Sequence, residues 1–566
     1  MTDFKDEIAG LIAEHTGNLN KEQIYGMLEY PPEPGMGDLA LPCFKLAREM
    51  KKAPPAIAAE IRAKIPASPY VRKVEAVSGY LNFHLEPARV AGSVISAVFA
   101  EQERYGSRDL GRGKRIVIDF SAPNIAKPFH VGHLRSTVIG HSLYRIFEFL
   151  GYKCIGINHL GDWGTQFGKM IVAYRKWGSR DEVEKGLVSE LMRLYVKFHD
   201  QAEGDPSLED EAREWFRKME SGDEEALDLW RWFKEISLKE FSRIYGLLGI
   251  QFDSMTGESF YNDRMGEVVD ELRAKSLLIE SEGAWIVDLG PYGMPPCLIL
   301  KKDGGTLYAT RDIAAALYRK RTYDFARCIY VVASAQNLHF QQWIKVVELM
   351  GYSWAKDLVH VPFGLVSLEG EKLATRKGNV VLLQELLEET IKMTREIIED
   401  KNPALENKEE VARDVGVGAV IFSDLSNNRI KDVVFSWKEA LNFDGETGPY
   451  VQYTHARACS IIRKAGKEPA CGINPELLID APAFKVIKTI YRFPEIILQA
   501  VKELEPSIIS RYLIDLAQDF NGFYHECQVL VEDTGLMQAR LALAYAVKTV
   551  LAAGLRLLGL KAPERM

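Results

Sequence analysis

The hydrophobic pattern changes its period several times along the chain. Residues 4–15 carry apolar side chains at helical spacing, and residues 30–38 (YPPEPGMGD) form a Pro/Gly loop. Residues 39–64 read as a helix pair broken at Pro54-Pro55, and residues 73–85 as two strands around Gly79. A helix over about 87–104 leads into YGSRDLGRGK at 105–114, a Gly- and charge-rich linker. Residues 1–106 are therefore expected to form a small N-terminal α+β domain.

Past the linker the pattern shortens. RIVIDFS at 115–121 is a β-branched apolar run, expected as a buried strand, and Pro123 and Pro128 keep the following loop from coiling. Helical spacing then runs over 132–150, with Leu134, Ile139, Leu143, Ile146 and Leu150 on one face, before the apolar run KCIGIN at 153–158. Strand, helix, strand is a βαβ unit, which implies a parallel sheet. Residues 182–248 are charged and helical, an inserted piece. Residues 298–302 and 306–310 flank Asp303-Gly304-Gly305, a hairpin-turn signal. A helix at 312–319, a strand at 328–334, a helix at 340–350 and a strand at 358–363 make a second α/β half. After about Pro403 nearly everything reads as amphipathic helix. The expected fold is a multidomain α/β chain with three parts. The N-terminal α+β domain spans 1–106. A Rossmann-like parallel-sheet domain spans 113–402, with a helical insertion at about 176–260. A C-terminal all-α bundle spans 403–566. Such a sheet predicts a ligand crevice at the carboxyl ends of its strands.

Composition narrows the class. The chain has 566 residues, 47% hydrophobic and 27% charged, which excludes wholly disordered and fibrous architectures. The net charge is 71 − 79 = −8, so a uniformly basic nucleic-acid coat is excluded. Local patches still decide polyanion binding: from Val451 onward 14 Lys+Arg stand against 12 Asp+Glu, a mildly basic end. The N-terminus resembles neither a signal nor a transit peptide, and no uninterrupted apolar run has the length to span a bilayer. The seven cysteines are scattered and never in C-x-x-C spacing, which argues against a disulfide framework or zinc ribbon and fits a reducing cytoplasm.

The densest chemistry lies at residues 121–141, SAPNIAKPFHVGHLRSTVIGH, where the first strand of the sheet gives way to its helix. His130 and His133 are three apart at the helix start and can face one ligand. Gly132 between them removes a side chain, so a planar ring or phosphate can approach the backbone. A helix N-terminus offers unpaired N–H groups, and Lys127 adds a point charge. The set suits a polyphosphate whose phosphorus gains charge in the transition state. Two other readings stand beside it. A zinc pair is one, although the H-E-x-x-H pattern is absent; a purely structural histidine pair is the other.

This block resembles the H-x-G-H signature of class I aminoacyl-tRNA synthetases, and the longer string PNIAKPFHVGHLRS resembles the arginyl-tRNA synthetases. NHLGDWGTQFG at 158–168, GESFY at 257–261, YATRDIAAALYR at 308–319, AQNLHF at 335–340, GPYVQYTHAR at 448–457 and the terminal APERM extend the resemblance, as does GYLNF at 79–83. It implies arginine–tRNA ligation. Arginine is activated by ATP with Mg²⁺ to arginyl-adenylate, then transferred to the 2′-hydroxyl of the terminal adenosine of tRNA(Arg). It implies no tightly bound metal or organic cofactor, no membrane, and a cytoplasmic monomer. Three rivals remain: a sister class I synthetase, a small-molecule adenylyltransferase of the same superfamily, and a non-catalytic tRNA-binding relative.

The resemblance also assigns roles. Lys127, His130, His133, Lys372 and Arg376 are the implied catalytic set, the last two in KLATR within a K-M-S-K-S-like loop at 370–379. Thr375 stands there where the signature has its second lysine, a loss that Lys127 is expected to offset. Pro123, Phe129, Gly132 and Val366 join the histidines around ATP. Asp312 and Tyr308 are implied for the guanidinium, which is planar, always charged and rich in donors. Asp119 and Asn124 are implied for the α-amino and carboxylate groups, with His159 and Gln336 further along the pocket. Tyr80 and Asn82 are implied against a tRNA D-loop base, and Tyr450, Tyr453 and Arg457 in an anticodon-binding part. No editing domain is expected, because a site built on buried acceptors rejects poor ligands without a second sieve.

Overall fold

The N-terminal part builds on an antiparallel sheet of β1 (Leu39–Pro42), β2 (Val71–Val77) and β3 (Tyr80–Leu85), in the order β1-β3-β2. Helix Pro54–Lys64 packs on β2 and β3 through Ile57, Ala58 and Ile61, which are buried. Where the periodicity predicts a helix pair over 39–64, the chain first forms β1. All four of its residues are buried and pair with β3, so burial and ladder hydrogen bonds override the helical spacing. Two helices do follow β1, Ala47–Met50 and Pro54–Lys64, and Pro54 and Pro55 open the second, since a proline there gives up only an orphan N–H. The computed structural model describes residues 2–16, 19–302, 305–368 and 382–566.

The central sheet contains β4 (Arg115–Asp119) and β5 (Lys153–Ile157), joined by helix Leu134–Phe149. A separate antiparallel ribbon follows, made of β6 (Leu278–Ser281), β7 (Ala284–Val287) and β8 (Cys297–Leu300). Then β9 (Arg327–Ala333) and β10 (Leu358–Phe363) complete the sheet, in the order β10-β9-β4-β5, every pair parallel. The chain moves outward from β4 in one direction and from β9 in the other. Their carboxyl ends therefore diverge and open a crevice. Around the expected hairpin, residues 303 and 304 lie outside the described residues, and the flanking ladder is short: the Lys301 N–H donates to the Gly305 carbonyl at 2.8 Å and the Leu307 N–H to the Ile299 carbonyl at 3.2 Å. The partner of β8 is β7, Thr306 makes one isolated bridge to Leu300, and helix Tyr308–Tyr323 starts two residues on. The Thr310 hydroxyl donates to the Ile299 carbonyl at 2.6 Å and ties that helix start onto β8.

The insertion between β5 and β6 is helical, as its charge pattern predicts: Thr165–Trp177, Arg180–Ala202, Ser207–Glu220 and Glu224–Leu248. The C-terminal part holds helices Lys408–Leu425, Gly448–Ala465, Ala481–Glu503, Ser507–Glu526 and Thr534–Leu557. The last is long and apolar enough by composition to cross a membrane; here it packs against Gly448–Ala465 and Ser507–Glu526, with much of its surface buried in the bundle. Within Gly448–Ala465, Gln452 and His455 turn inward and hold the final segment. Gln452 Nε2 donates to the Lys561 carbonyl at 2.9 Å, and the His455 ring meets the Pro563 carbonyl at 2.9 Å.

A buried joint ties this bundle to the sheet. Arg135, in the first turn of helix Leu134–Phe149, pairs with Asp424 of Lys408–Leu425 at 2.7 Å, both side chains almost wholly buried. Arg135 Nη1 also donates to the Lys431 carbonyl at 2.6 Å. Close by, β11 (Val366–Leu368) pairs in parallel with β12 (Val433–Phe435), and Arg429 donates to the Pro362 carbonyl at 2.7 Å.

Candidate functional site

The loop after β4 is held in an uncommon backbone shape. Ser121 (φ 75°), Ala122 (φ 47°) and Ala126 (φ 59°) all take the left-handed region, which side chains disfavour. Each is fixed by a side-chain acceptor on another element. The Ser121 N–H donates to Ser136 Oγ at 2.9 Å, that of Ala122 to Asn158 Oδ1 at 3.2 Å, and that of Ala126 to Ser237 Oγ at 2.9 Å. The Tyr245 hydroxyl meets Ser121 Oγ at 2.8 Å and accepts from Asn158 Nδ2 at 2.9 Å. Tyr245 and Ser237 belong to the insertion, so the insertion braces the crevice loop.

The loop delivers the two histidines side by side. Their ring centroids are 4.0 Å apart, at the single 3₁₀ turn Val131–His133 that leads into helix Leu134–Phe149. His130 Nδ1 accepts from the Gly132 N–H at 3.0 Å, and His133 Nδ1 accepts from the His130 N–H at 3.2 Å. With Nδ1 an acceptor in both rings, the proton of each neutral imidazole sits on Nε2, which is left as a donor. Burial, with the Lys127 charge beside it, pushes His130 down to about 4. Burial, then His130 and Lys127, push His133 down to about 3. Both rings are therefore neutral at physiological pH. The space beside Gly132 is taken by the protein itself: a Cβ there would lie 2.7 Å from His130 Cε1. Gly132 thus lets the His130 ring fold back. Phe129 is buried behind, against His133, Phe241 and Tyr245. Pro123 is buried, Lys127 half-buried and Asn124 exposed.

The carboxylates of the site are already partnered. Asp119, at the end of β4, pairs with Arg319 at 2.8 Å, both side chains nearly wholly buried. Arg319 Nη2 lies 3.4 Å from Nδ1 of His159, whose ring burial pushes down. The guanidinium nearest Asp119 is therefore an internal one. Asp312 lies one turn after Tyr308 on helix Tyr308–Tyr323, meets His339 Nε2 at 2.5 Å, and keeps about 29% of its side chain exposed. Tyr308 is exposed, as is Gln336 at the end of the turn Ser334–Gln336. Glu258 pairs with Arg311 at 3.4 Å. Burial pushes its carboxyl up to about 7, against the pull of Arg311 and with the help of Asp312 and Asp162. Val366 is buried in β11. Lys372 and Arg376, with the whole loop 370–379, lie outside the described residues.

Arg319, His339 and Glu258 are missing from the sequence-derived set, though each lies in a segment it singles out. Arg319 follows Asp312 by seven residues, two helical turns, and so shares its face; His339 follows Gln336 by three.

The other residues spread along the molecule. Tyr80 is exposed at the start of β3 and packs edge-on against Phe44 at 5.5 Å, whereas Asn82 is buried mid-strand. In the C-terminal part, Tyr453 and Arg457 line a cavity of about 990 Å³ with Tyr524 and Arg463, and the Arg457 guanidinium lies 5.0 Å over the Tyr453 ring. The Tyr450 hydroxyl accepts from Asn521 Nδ2 at 2.9 Å, which turns it toward the bundle.

Residues 94–437 match the family model of the class I tRNA synthetase (R) catalytic domain, 451–566 that of the DALR anticodon binding domain, and 2–85 that of the arginyl tRNA synthetase N-terminal domain. The arginine–tRNA ligase of Alkaliphilus metalliredigens is 58% identical over 566 residues, and that of Clostridioides difficile 55%, each match covering all of both chains. A Thermus thermophilus arginyl-tRNA synthetase structure superposes with a TM-score of 0.85 at 27% identity, over 99% of this chain and 100% of that one.

Proposed function

From the premise that this chain belongs to the class I arginyl-tRNA synthetases and is an arginine–tRNA ligase, we propose a division of labour among its residues. ATP enters the crevice with Mg²⁺ as part of the substrate. His130 and His133 hold the triphosphate through their two Nε2–H donors, next to the N–H groups of the helix start. Lys127 supplies the cation that Thr375 does not, and Lys372 and Arg376 add their charges to the phosphates. Pro123, Phe129 and Val366 bound the nucleotide, and Gly132 serves it through the His130 ring that folds over it. The arginine carboxylate attacks the α-phosphorus and expels pyrophosphate. The 2′-hydroxyl of the terminal tRNA adenosine then attacks the activated carbonyl and releases AMP. Neither step needs a covalent enzyme intermediate, so positioning and charge stabilisation do the catalysis.

Arginine lies across the crevice. Asp312 and Tyr308 take its guanidinium, with Gln336 and His159 along the slot, and Asn124 and Asp119 toward its α-amino and carboxylate end. Arg319 holds Asp119 rigidly, so Asp119 acts through the oxygen that Arg319 leaves free. Tyr80 stacks on a D-loop base, with Asn82 beneath it, and Tyr450, Tyr453 and Arg457 receive the anticodon. The three working parts are 1–106, 113–402 and 403–566. No organic cofactor or tightly held metal takes part, and the enzyme acts as a monomer in the cytoplasm, where unpaired cysteines are at home.

One observation carries this reading: at the end of β4 two neutral imidazoles are held with their Nδ1 atoms as acceptors, which leaves both Nε2–H groups as donors at the start of a helix. Kinetics of Asp312→Ala test it. The arginine KM should rise at least about tenfold more than the ATP KM, the loss of one charge-assisted pair. Equal rises in both would refute the assignment. Charging assays with arginine, glutamine and lysine in parallel test specificity.

A further inference from the structure

We propose that His339 is a positioning residue that aims the Asp312 carboxylate while leaving its negative charge available to the substrate. The proposal rests on the reading above that Asp312 receives the guanidinium. Asp119, Glu258 and Asp312 have partners that differ in kind. Asp119 faces the buried guanidinium of Arg319, and Glu258 faces that of Arg311. A guanidinium never sheds its proton in a protein, so each of those two acids shares its charge with a permanent cation of the protein. Asp312 alone of the three faces an imidazole, at 2.5 Å, and both side chains remain about a quarter exposed. An imidazole donates an N–H while neutral. It can thus fix a carboxylate oxygen by a hydrogen bond without neutralising the charge that an incoming cation requires.

The imidazole is well placed for this. His339 sits in the first turn of helix Asn337–Leu349, directly after the turn that ends β9. Its neighbour Phe340 is buried and stacks flat on His360, with centroids 4.2 Å apart and ring planes 11° apart. His360 Nε2 meets the Val332 carbonyl at 2.9 Å across the β9–β10 pair. The sheet thus fixes the backbone that carries His339, and His339 fixes Asp312 Oδ2. Asp312 Oδ1 is then the atom to meet the guanidinium.

The test separates donor from charge in the full-length enzyme with tRNA. His339→Gln keeps a neutral N–H donor, His339→Ala removes the donor, and His339→Lys keeps a donor but adds a permanent cation. Arginine KM, ATP KM and kcat are measured for each. The arginine KM should rise by under about fivefold for Gln, about 10- to 50-fold for Ala, and about a hundredfold or more for Lys. The ATP KM should stay within about twofold throughout. The advantage of arginine over citrulline, its neutral isostere, as measured by competition, should shrink most in His339→Lys. A merely structural role would disturb both substrates and would not rank a cationic donor below no donor. The proposal is overturned if Lys is no worse than Ala, if Gln is as poor as Ala, or if ATP and arginine KM rise together. Asp312→Asn with an unchanged arginine KM would overturn the underlying reading as well. A raised arginine KM there, with no order in the His339 series, would overturn the positioning role alone.

Discussion

The joint between Arg135 and Asp424 makes an asymmetric prediction about stability. Their ion pair at 2.7 Å is almost wholly excluded from water. Substituting Asp424→Ala strands a guanidinium that cannot deprotonate and keeps only the Lys431 carbonyl as a partner. Breaking a buried pair in this way costs about 3–5 kcal/mol. Arg135→Met strands a carboxyl instead, and a carboxyl can take up a proton. Burial already pushes Asp424 up to about 6, even with Arg135 pulling it down. Without Arg135 it rises further and is neutral in the folded protein at pH 7. Its removal should therefore cost less, about 1–3 kcal/mol, the scale of an unsatisfied buried polar group. The pH dependence has a definite sign. A carboxyl raised in the folded state binds its proton more tightly there than in the unfolded chain. Its stabilising contribution is complete below about pH 4 and is lost as pH rises through the folded value, near 6 in the wild type and higher in Arg135→Met. Arg135→Met should thus lose more stability relative to wild type at pH 8 than at pH 5. Thermal unfolding at the two pH values measures this. At about 2–4 °C per kcal/mol for a large domain, Asp424→Ala should lower Tm by roughly 10 °C. The double change Arg135→Met/Asp424→Leu should recover most of that loss. The reasoning fails if Asp424→Ala is no worse than Arg135→Met and the Arg135→Met deficit is the same at both pH values.

Three further outcomes follow from the site. The ATP KM in pyrophosphate exchange should show no inflection near pH 6.5, because His130 and His133 stay neutral until the pH falls toward 4; a histidine-like step in that range would contradict their neutral state. Lys127→Ala should slow adenylate formation by at least about tenfold in single-turnover assays, the scale of one charge-assisted contact, and a change within a few-fold would remove Lys127 from the phosphate site. The arginine KM should rise as pH drops below about 7, because Glu258 then gains a proton and its negative charge leaves the slot; in Glu258→Gln that rise should be absent.

Much of the fold follows from local spacing. β10 (Leu358–Phe363) spans the same residues as the apolar run that predicts it, and β4 and the two halves of the sheet fall where period and glycine breaks put them. Departures arise where distant partners decide. Residues 39–42 form a strand because β3 lies beside them, and the hairpin arm at 306–310 stops after Leu307 because a helix starts at Tyr308, tied by Thr310 to Ile299. The site divides in the same way. His130, Gly132 and His133 are legible because their geometry is local, within one turn. Arg319, His339 and the Arg135–Asp424 pair are contacts across 200, 27 and 289 positions, which no window of spacing reports. Even so, Arg319 repeats the face of Asp312 on one helix, a periodicity that a test for polar as well as apolar stripes would detect.

The choice of neutral donors on one side of the crevice and a charged acceptor on the other has an energetic logic. A fixed cation attracts ATP before and during reaction alike, and uniform attraction lowers KM without raising kcat. A neutral N–H held in place gains most where charge accumulates on the pentavalent phosphorus. On the proposed division of labour, neutral His130 and His133 would put their contribution into the transition state and leave bulk charge to Lys127. Arginine needs the reverse, because its cation is unchanged through the reaction and sets specificity by binding alone. A carboxylate whose partner carries no obligatory charge is the one suited to supply that. On the proposed division, Asp119 and Glu258 share their charge with guanidinium groups of the protein, while Asp312 is the carboxylate left to the substrate's own.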